Sequence, residues 1–246
     1  MLLLVGTTGR ALSHLLQVQF PLWNQWIRHP ASEGVFLLLS QGLLDVLIFL
    51  FIYLTITLKY NAPFFPSIHW IKLEKKAIGL FGAAGAALAM FVLALSSLLP
   101  ETGKPPIEEL LKFPATMVLY STLGILVAPF VEEVLFRGFI YPVLERVAAK
   151  LLGFYQTSGG TKGGFPVEGG KILAVIVTAI LFVLLHVGQL WGSLQGILLI
   201  LLVGLTLSTV RAVTGSIKPG FIIHLAYNST ICLLVFLGVL VQGFPK

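Results

Sequence analysis

Two adjacent glutamates, an arginine, two histidines and an asparagine stand inside stretches that are otherwise apolar: Glu132, Glu133 and Arg137, then His186, then His224 and Asn228. A charge at bilayer depth costs at least a few kcal/mol, so ionisable residues in such stretches mark function by default. Four-residue spacing stacks Glu133 and Arg137 on one helix face, where they can pair. Glu132 points about 100° away around the axis and escapes that partner. An apolar setting makes an unpaired carboxylate a better base, which suits proton removal from water near neutral pH. Glu132 is therefore expected to do chemistry while Glu133 and Arg137 hold the scaffold. The plainer alternative is that all three form one structural ion-pair network.

His224 and Asn228 share a helix face, as do Phe182 and His186. A lone membrane histidine is more often an interhelical hydrogen bond than a catalyst. Two of them, with an asparagine and a free glutamate on three helices, supply more: a base, an imidazole partner for a water, and donors for a developing oxyanion. Asp45 is a weaker candidate, either a helix-packing partner or a support behind the site.

The elements that must carry these residues follow from composition. The chain has 246 residues, 57% apolar and 11% charged, with a mean hydropathy of +0.97. Soluble domains carry roughly a quarter charged residues, and disorder needs low hydrophobicity with high charge, so both classes are excluded. The single cysteine, Cys232, excludes an intramolecular disulfide framework or a cysteine-based metal cluster. What remains is an all-α, polytopic transmembrane bundle, since a crossing takes about 20 apolar residues. Six stretches qualify: 35–58, 77–99, 115–147, 172–187, 194–213 and 221–241. Residues 1–34, with Leu12, Leu15, Leu16, Phe20, Trp23 and Trp26, read as an amphipathic segment lying in the interface, ahead of a membrane domain over 35–246.

Loop charge orients the bundle. Lys59, Lys72, Lys75 and Lys76 follow span one, Arg146, Lys150, Lys162 and Lys171 follow span three, and Arg211 with Lys218 separate spans five and six. Loops 101–112 and 188–193 are acidic or uncharged. By the positive-inside rule the basic loops are cytoplasmic and both termini lie outside. That rule also accounts for the net charge of +6, and without aromatic interleaving nucleic-acid binding is not expected. In span two, Gly82 with Ala86 and Gly85 with Ala89 form small-xxx-small pairs suited to close helix packing.

Read together, Glu132-Glu133-xxx-Arg137-Gly138, Phe182-xxx-His186 and His224-xxx-Asn228 resemble the CAAX prenyl protease type II and bacteriocin-processing (CPBP, abortive-infection) family of intramembrane proteases, over about residues 115–241. The resemblance implies an endopeptidase embedded in the cell membrane, acting on a membrane-associated peptide or protein. A prenylated C-terminus, a bacteriocin leader or another tethered peptide would all serve. It implies that Glu132 and His186 activate water, that His224 and Asn228 stabilise the oxyanion, and that Glu133 and Arg137 orient the site. Glu132, His186 and His224 would also be the ligands of a zinc. With no His-Glu-xx-His motif, the metal-free glutamate mechanism is preferred. The cavity is expected between spans three, four and six, open to the cytoplasm.

One geometric tension accompanies this reading. Glu132 and His186 lie about 21 Å from the basic ends of their spans, but His224 only about 9 Å from Lys218. Tilt, a dipping loop near Pro219, or an extension of spans three and four beyond the membrane would close the gap. Two rivals keep the helices and change the role: a non-catalytic membrane scaffold or regulator on the same fold, or a carrier using His186 and His224 for haem or protons.

Overall fold

The computed structural model describes residues 30–100, 113–151, 166–190 and 193–242. Most of the expected interfacial segment, residues 1–29, lies outside them. Among the described residues all regular structure is helical, and six helices are long and apolar enough to cross a membrane. They are span one (Gly34–Lys59), span two (Lys75–Ser96), span three (Thr116–Leu151), span four (Gly169–Gly188), span five (Leu194–Thr214) and span six (Lys218–Val241). The chain is an integral, multi-pass membrane protein.

Local chemistry sets the ends. Pro114 opens the helix leading into span three, where its missing N–H would have had no partner. Ser193 caps span five, its hydroxyl accepting from the Gly196 amide at 3.2 Å. Gly215, at a φ of 67°, ends that span, its N–H donating to the Arg211 carbonyl.

Small residues set the crossings. Gly85 in span two presses on the Ile223 carbonyl and Ala226 of span six, so closely that a Cβ would collide. Ala89, also fully buried, packs in the same cluster. Gly82 faces open space, so of the two small-residue pairs only Gly85 and Ala89 make the contact. Gly204 of span five crosses span four at Ala179 and Phe182.

The depth tension resolves through an extension. The Arg211 guanidinium, one turn from the end of span five, donates to the Arg137 carbonyl at 3.1 Å and lies over the Tyr141 ring. Everything after Tyr141 therefore projects past the basic end of span five. The helix Tyr141–Leu151 makes this projection and packs against the start of the helix Pro166–Leu190. There Gly170 lies flat on the backbone of Glu145 and Ala149. Measured from span five rather than from the last basic residue, Glu132 and His186 come level with His224.

Residues 60–74 fold back beneath the bundle. The His69 carbonyl accepts from the Ser216 hydroxyl at 3.1 Å and from the Ile217 amide at 3.2 Å. This clasp seats Ile68 against Val134 and Ile217, all three fully buried, and makes a floor on the basic side of Glu133.

Span three is irregular where it matters. Leu123–Val127 and Val134–Ile140 are π-helical, with the α-helical turn Ala128–Glu133 between them. Such single-turn widenings favour functional sites. The first has an identifiable cause. The Ala128 N–H reaches back five residues to the Leu123 carbonyl. The same reach from the next residue would satisfy Gly124, but the next residue is Pro129, which has no N–H.

Candidate active site

Glu133 and Arg137 form the buried pair that their spacing suggests, 3.0 Å apart and both wholly inaccessible to solvent. The guanidinium also donates to the Gly204 carbonyl at 3.0 Å and to the Ser208 hydroxyl at 3.3 Å. It stacks on Phe182 at 4.7 Å and on Phe136 at 5.7 Å. The guanidinium's hydrogen-bonding capacity is largely met in this way, whereas Glu133 Oε2 has no hydrogen-bond partner among the described residues. Gly220, in the first turn of span six, lets Glu133 approach: a Cβ there would stand 2.8 Å from Oε2.

Glu132 is set differently. Its two carboxylate oxygens face two imidazoles, Oε1 at 3.7 Å from His186 Nε2 and Oε2 at 3.7 Å from His224 Nε2. Both distances exceed direct hydrogen-bond length. The far nitrogens are engaged: His186 Nδ1 lies 2.7 Å from the Phe182 carbonyl, and His224 Nδ1 3.3 Å from Glu133 Oε1. A carbonyl can only accept, so His186 carries its proton on Nδ1. The carboxylate of Glu133, held by Arg137, assigns the same to His224. Each imidazole thus turns its Nε2 toward the carboxylate of Glu132. Both gaps of 3.7 Å are too long for a direct hydrogen bond and of the length at which a water bridges two polar groups.

Asn228 shares the site and is anchored to span three. Its amide donates to the Gly124 carbonyl at 2.6 Å, the carbonyl left unpaired by Pro129. One N–H remains for other use, since the amide has two. Asp45 joins the site from span one. It is fully buried, and its Oδ1 accepts from the Gln41 amide at 2.9 Å. Sequence reasoning did not single out Gln41; its place one turn before Asp45 in an apolar span was the available signal.

These side chains line a cavity of about 230 Å³ walled by five spans. It runs from Glu132 and His224 past Asn228 toward Leu38, Tyr120 and Ile200, which lie near the charge-poor ends of their helices. The expected opening toward the basic face is therefore corrected. On that side the Glu133–Arg137 network and the Ile68, Val134, Ile217 floor close the site, because a buried ion pair must be packed all round. The cavity is also wider than expected, taking in spans one and five.

Zinc accepts the donor types at hand, a carboxylate and two imidazoles. Among the described residues, however, no three His, Cys, Asp or Glu side chains converge tightly enough to hold a metal ion, so no step below is routed through one.

Fold and site define a polytopic membrane protein with an acid and two imidazoles enclosed at depth. Residues 114–230 match the family model of the type II CAAX prenyl endopeptidases, Rce1-like, a family of intramembrane CAAX-type proteases. The match contains Glu132, Glu133, Arg137, His186, His224 and Asn228; Gln41 and Asp45 fall outside it. Neither a curated protein nor a solved structure matches the chain.

Proposed function

We propose that the protein is an intramembrane endopeptidase in which Glu132 activates a water for attack on a peptide bond of a membrane-associated substrate. The observation that carries this reading is the pair of 3.7 Å gaps that separate the carboxylate oxygens of Glu132 from Nε2 of His186 and of His224. A water placed among them donates to two and is held for attack. Glu132 takes one of its protons as the remaining hydroxide adds to the substrate carbonyl. The free N–H of Asn228 donates to the oxyanion. His224 joins it when a proton taken up from solvent before the substrate binds occupies Nε2, the imidazolium then facing Glu133 through Nδ1. The proton on Glu132 passes to the departing amine as the C–N bond breaks, which restores the carboxylate. Glu133 and Arg137 act through His224, holding its ring in place.

The test incubates purified protein with a library of acylated peptides, beside Glu132→Ala, with and without chelator. Cleavage that survives chelation and vanishes in Glu132→Ala is expected. Cleavage abolished by chelator and restored by zinc overturns the metal-free mechanism in favour of a zinc held by Glu132, His186 and His224. A membrane phenotype that persists in Glu132→Ala, with no cleavage in either form, replaces the protease reading with the scaffold.

A further inference from the structure

The wall of the cavity facing away from the family's motif carries chemistry that the hydrolytic scheme does not use. Asp45 is wholly buried, and its Oδ2 has no hydrogen-bond partner among the described residues; neither has Oε1 of Gln41. The hydrogen bond between these two residues uses one of the two N–H groups of Gln41 Nε2, so two oxygens that can accept stand against a single remaining donor. A buried acceptor left without a donor is costly, so an occupant that brings donors to this wall gains what the fold alone forgoes.

Charge points the same way. Glu132 and Asp45 line one cavity, so two carboxyl groups face the same enclosed space. Among the described residues no Lys or Arg lines that cavity, since Arg137 is turned into its own network behind Phe182. A cation between the two carboxylates relieves their repulsion and donates to both walls. A free carboxylate brings only acceptors and a third negative charge. The rest of the lining is largely aliphatic, including Leu38, Leu123 and Ile231, so the charged group must arrive on an otherwise apolar segment.

We propose that Gln41 and Asp45 form a subsite for an ammonium or guanidinium group. The cavity then favours apolar peptides with a basic residue beside the cleaved bond over peptides that end close to it in a free carboxylate. This rests on the protease reading for the word cleaved, though the subsite itself does not.

The experiment keeps the two apart. Full-length Glu132→Gln, which retains Asp45 in the cavity wall, is titrated by fluorescence anisotropy with acylated peptides. Lysine or its uncharged isostere norleucine is moved along them one position at a time, each peptide ending in a carboxylate or an amide. At the matching position lysine should bind about thirtyfold tighter than norleucine or better. Adding the isosteric change Asp45→Asn should erase the difference, and Gln41→Leu should reduce it. Equal binding of lysine and norleucine peptides at every position overturns the subsite without recourse to any Asp45 variant. So does a lysine preference that survives Asp45→Asn. Cleavage by the native protein is read separately as kcat/KM. A lysine preference that depends on Asp45, without turnover of any peptide, keeps the subsite and removes the protease.

Discussion

Glu133 is fixed by contacts of 3.0 Å to Arg137 and 3.3 Å to His224, whereas Glu132, its neighbour in the chain, stands 3.7 Å from each of two imidazoles. The first belongs to a dry network that ends on the Gly204 carbonyl and the Ser208 hydroxyl. The second belongs to the cavity. Phe182 separates them, its ring against Arg137 on one side and 4.4 Å from the His186 ring on the other. The difference teaches that a membrane site needs two kinds of polar group. One kind is locked by direct contact with an opposite charge and holds position, though Glu133 Oε2 itself lacks a partner among the described residues; the other stands off from its neighbours and can work.

The sharpest way to break this contrast is to neutralise each glutamate in turn. Glu132→Gln should lower kcat/KM by about 10²–10⁴ while leaving the melting temperature in detergent nearly unchanged. If Glu132→Gln instead melts early and Glu133→Gln does not, the two residues have been assigned the wrong way round. Glu133→Gln, or Arg137→Met, strands a buried charge and should cost about 3–5 kcal/mol in denaturant titration. Comparable losses of stability for both glutamates would return the single structural network.

A smaller effect belongs to Gly220. In Gly220→Ala the new methyl meets Glu133 Oε2, and overpacking of this kind costs about 1–3 kcal/mol. The displaced carboxylate should also release His224, so kcat falls with stability while the same change at Gly82, facing open space, does neither. The smallest effect lies outside the membrane, in the clasp at His69. Partial burial, then the positive charge of Arg211, pushes the His69 imidazole below its ordinary 6.5. The unfolded chain therefore takes up the proton first as pH falls. The contribution of His69 is present above 6.5 and is lost as pH drops through the lower folded value. His69→Asn, which tolerates the φ of 59°, should flatten that part of the melting-temperature profile. An unchanged profile would show that the clasp does not sense protons.

Much of this was legible in the sequence because membrane burial leaves few ways to place a charge. The six spans emerged from hydropathy, and the pairing of Glu133 with Arg137 emerged from four-residue spacing. The side chains Glu132, His186 and His224 declared themselves by being where lipid would reject them. What stayed hidden depends on helix-to-helix register, which hydropathy does not encode. Gly82 and Gly85 look alike in sequence, and only the rotation of span two decides which one meets Ile223. Asp45 left its role open because its neighbours across the cavity come from other spans. The direction of the cavity was misread since the floor is built by residues 60–74, whose return under the bundle rests on a few hydrogen bonds to Ser216 and Ile217.

Pro129 contributes through a hydrogen atom it does not have. With Gly124 denied a bond inside its own helix, the carbonyl becomes a mooring point for Asn228, and the angle at which span six leans on span three follows from that. Giving position 129 an N–H, as in Pro129→Ala, offers the tether a rival although neither of its two atoms has changed. Spin labels on the two helices would report the slackening as a broader distance distribution, so the width of the cavity can be tuned from a residue other than the two that form the tether.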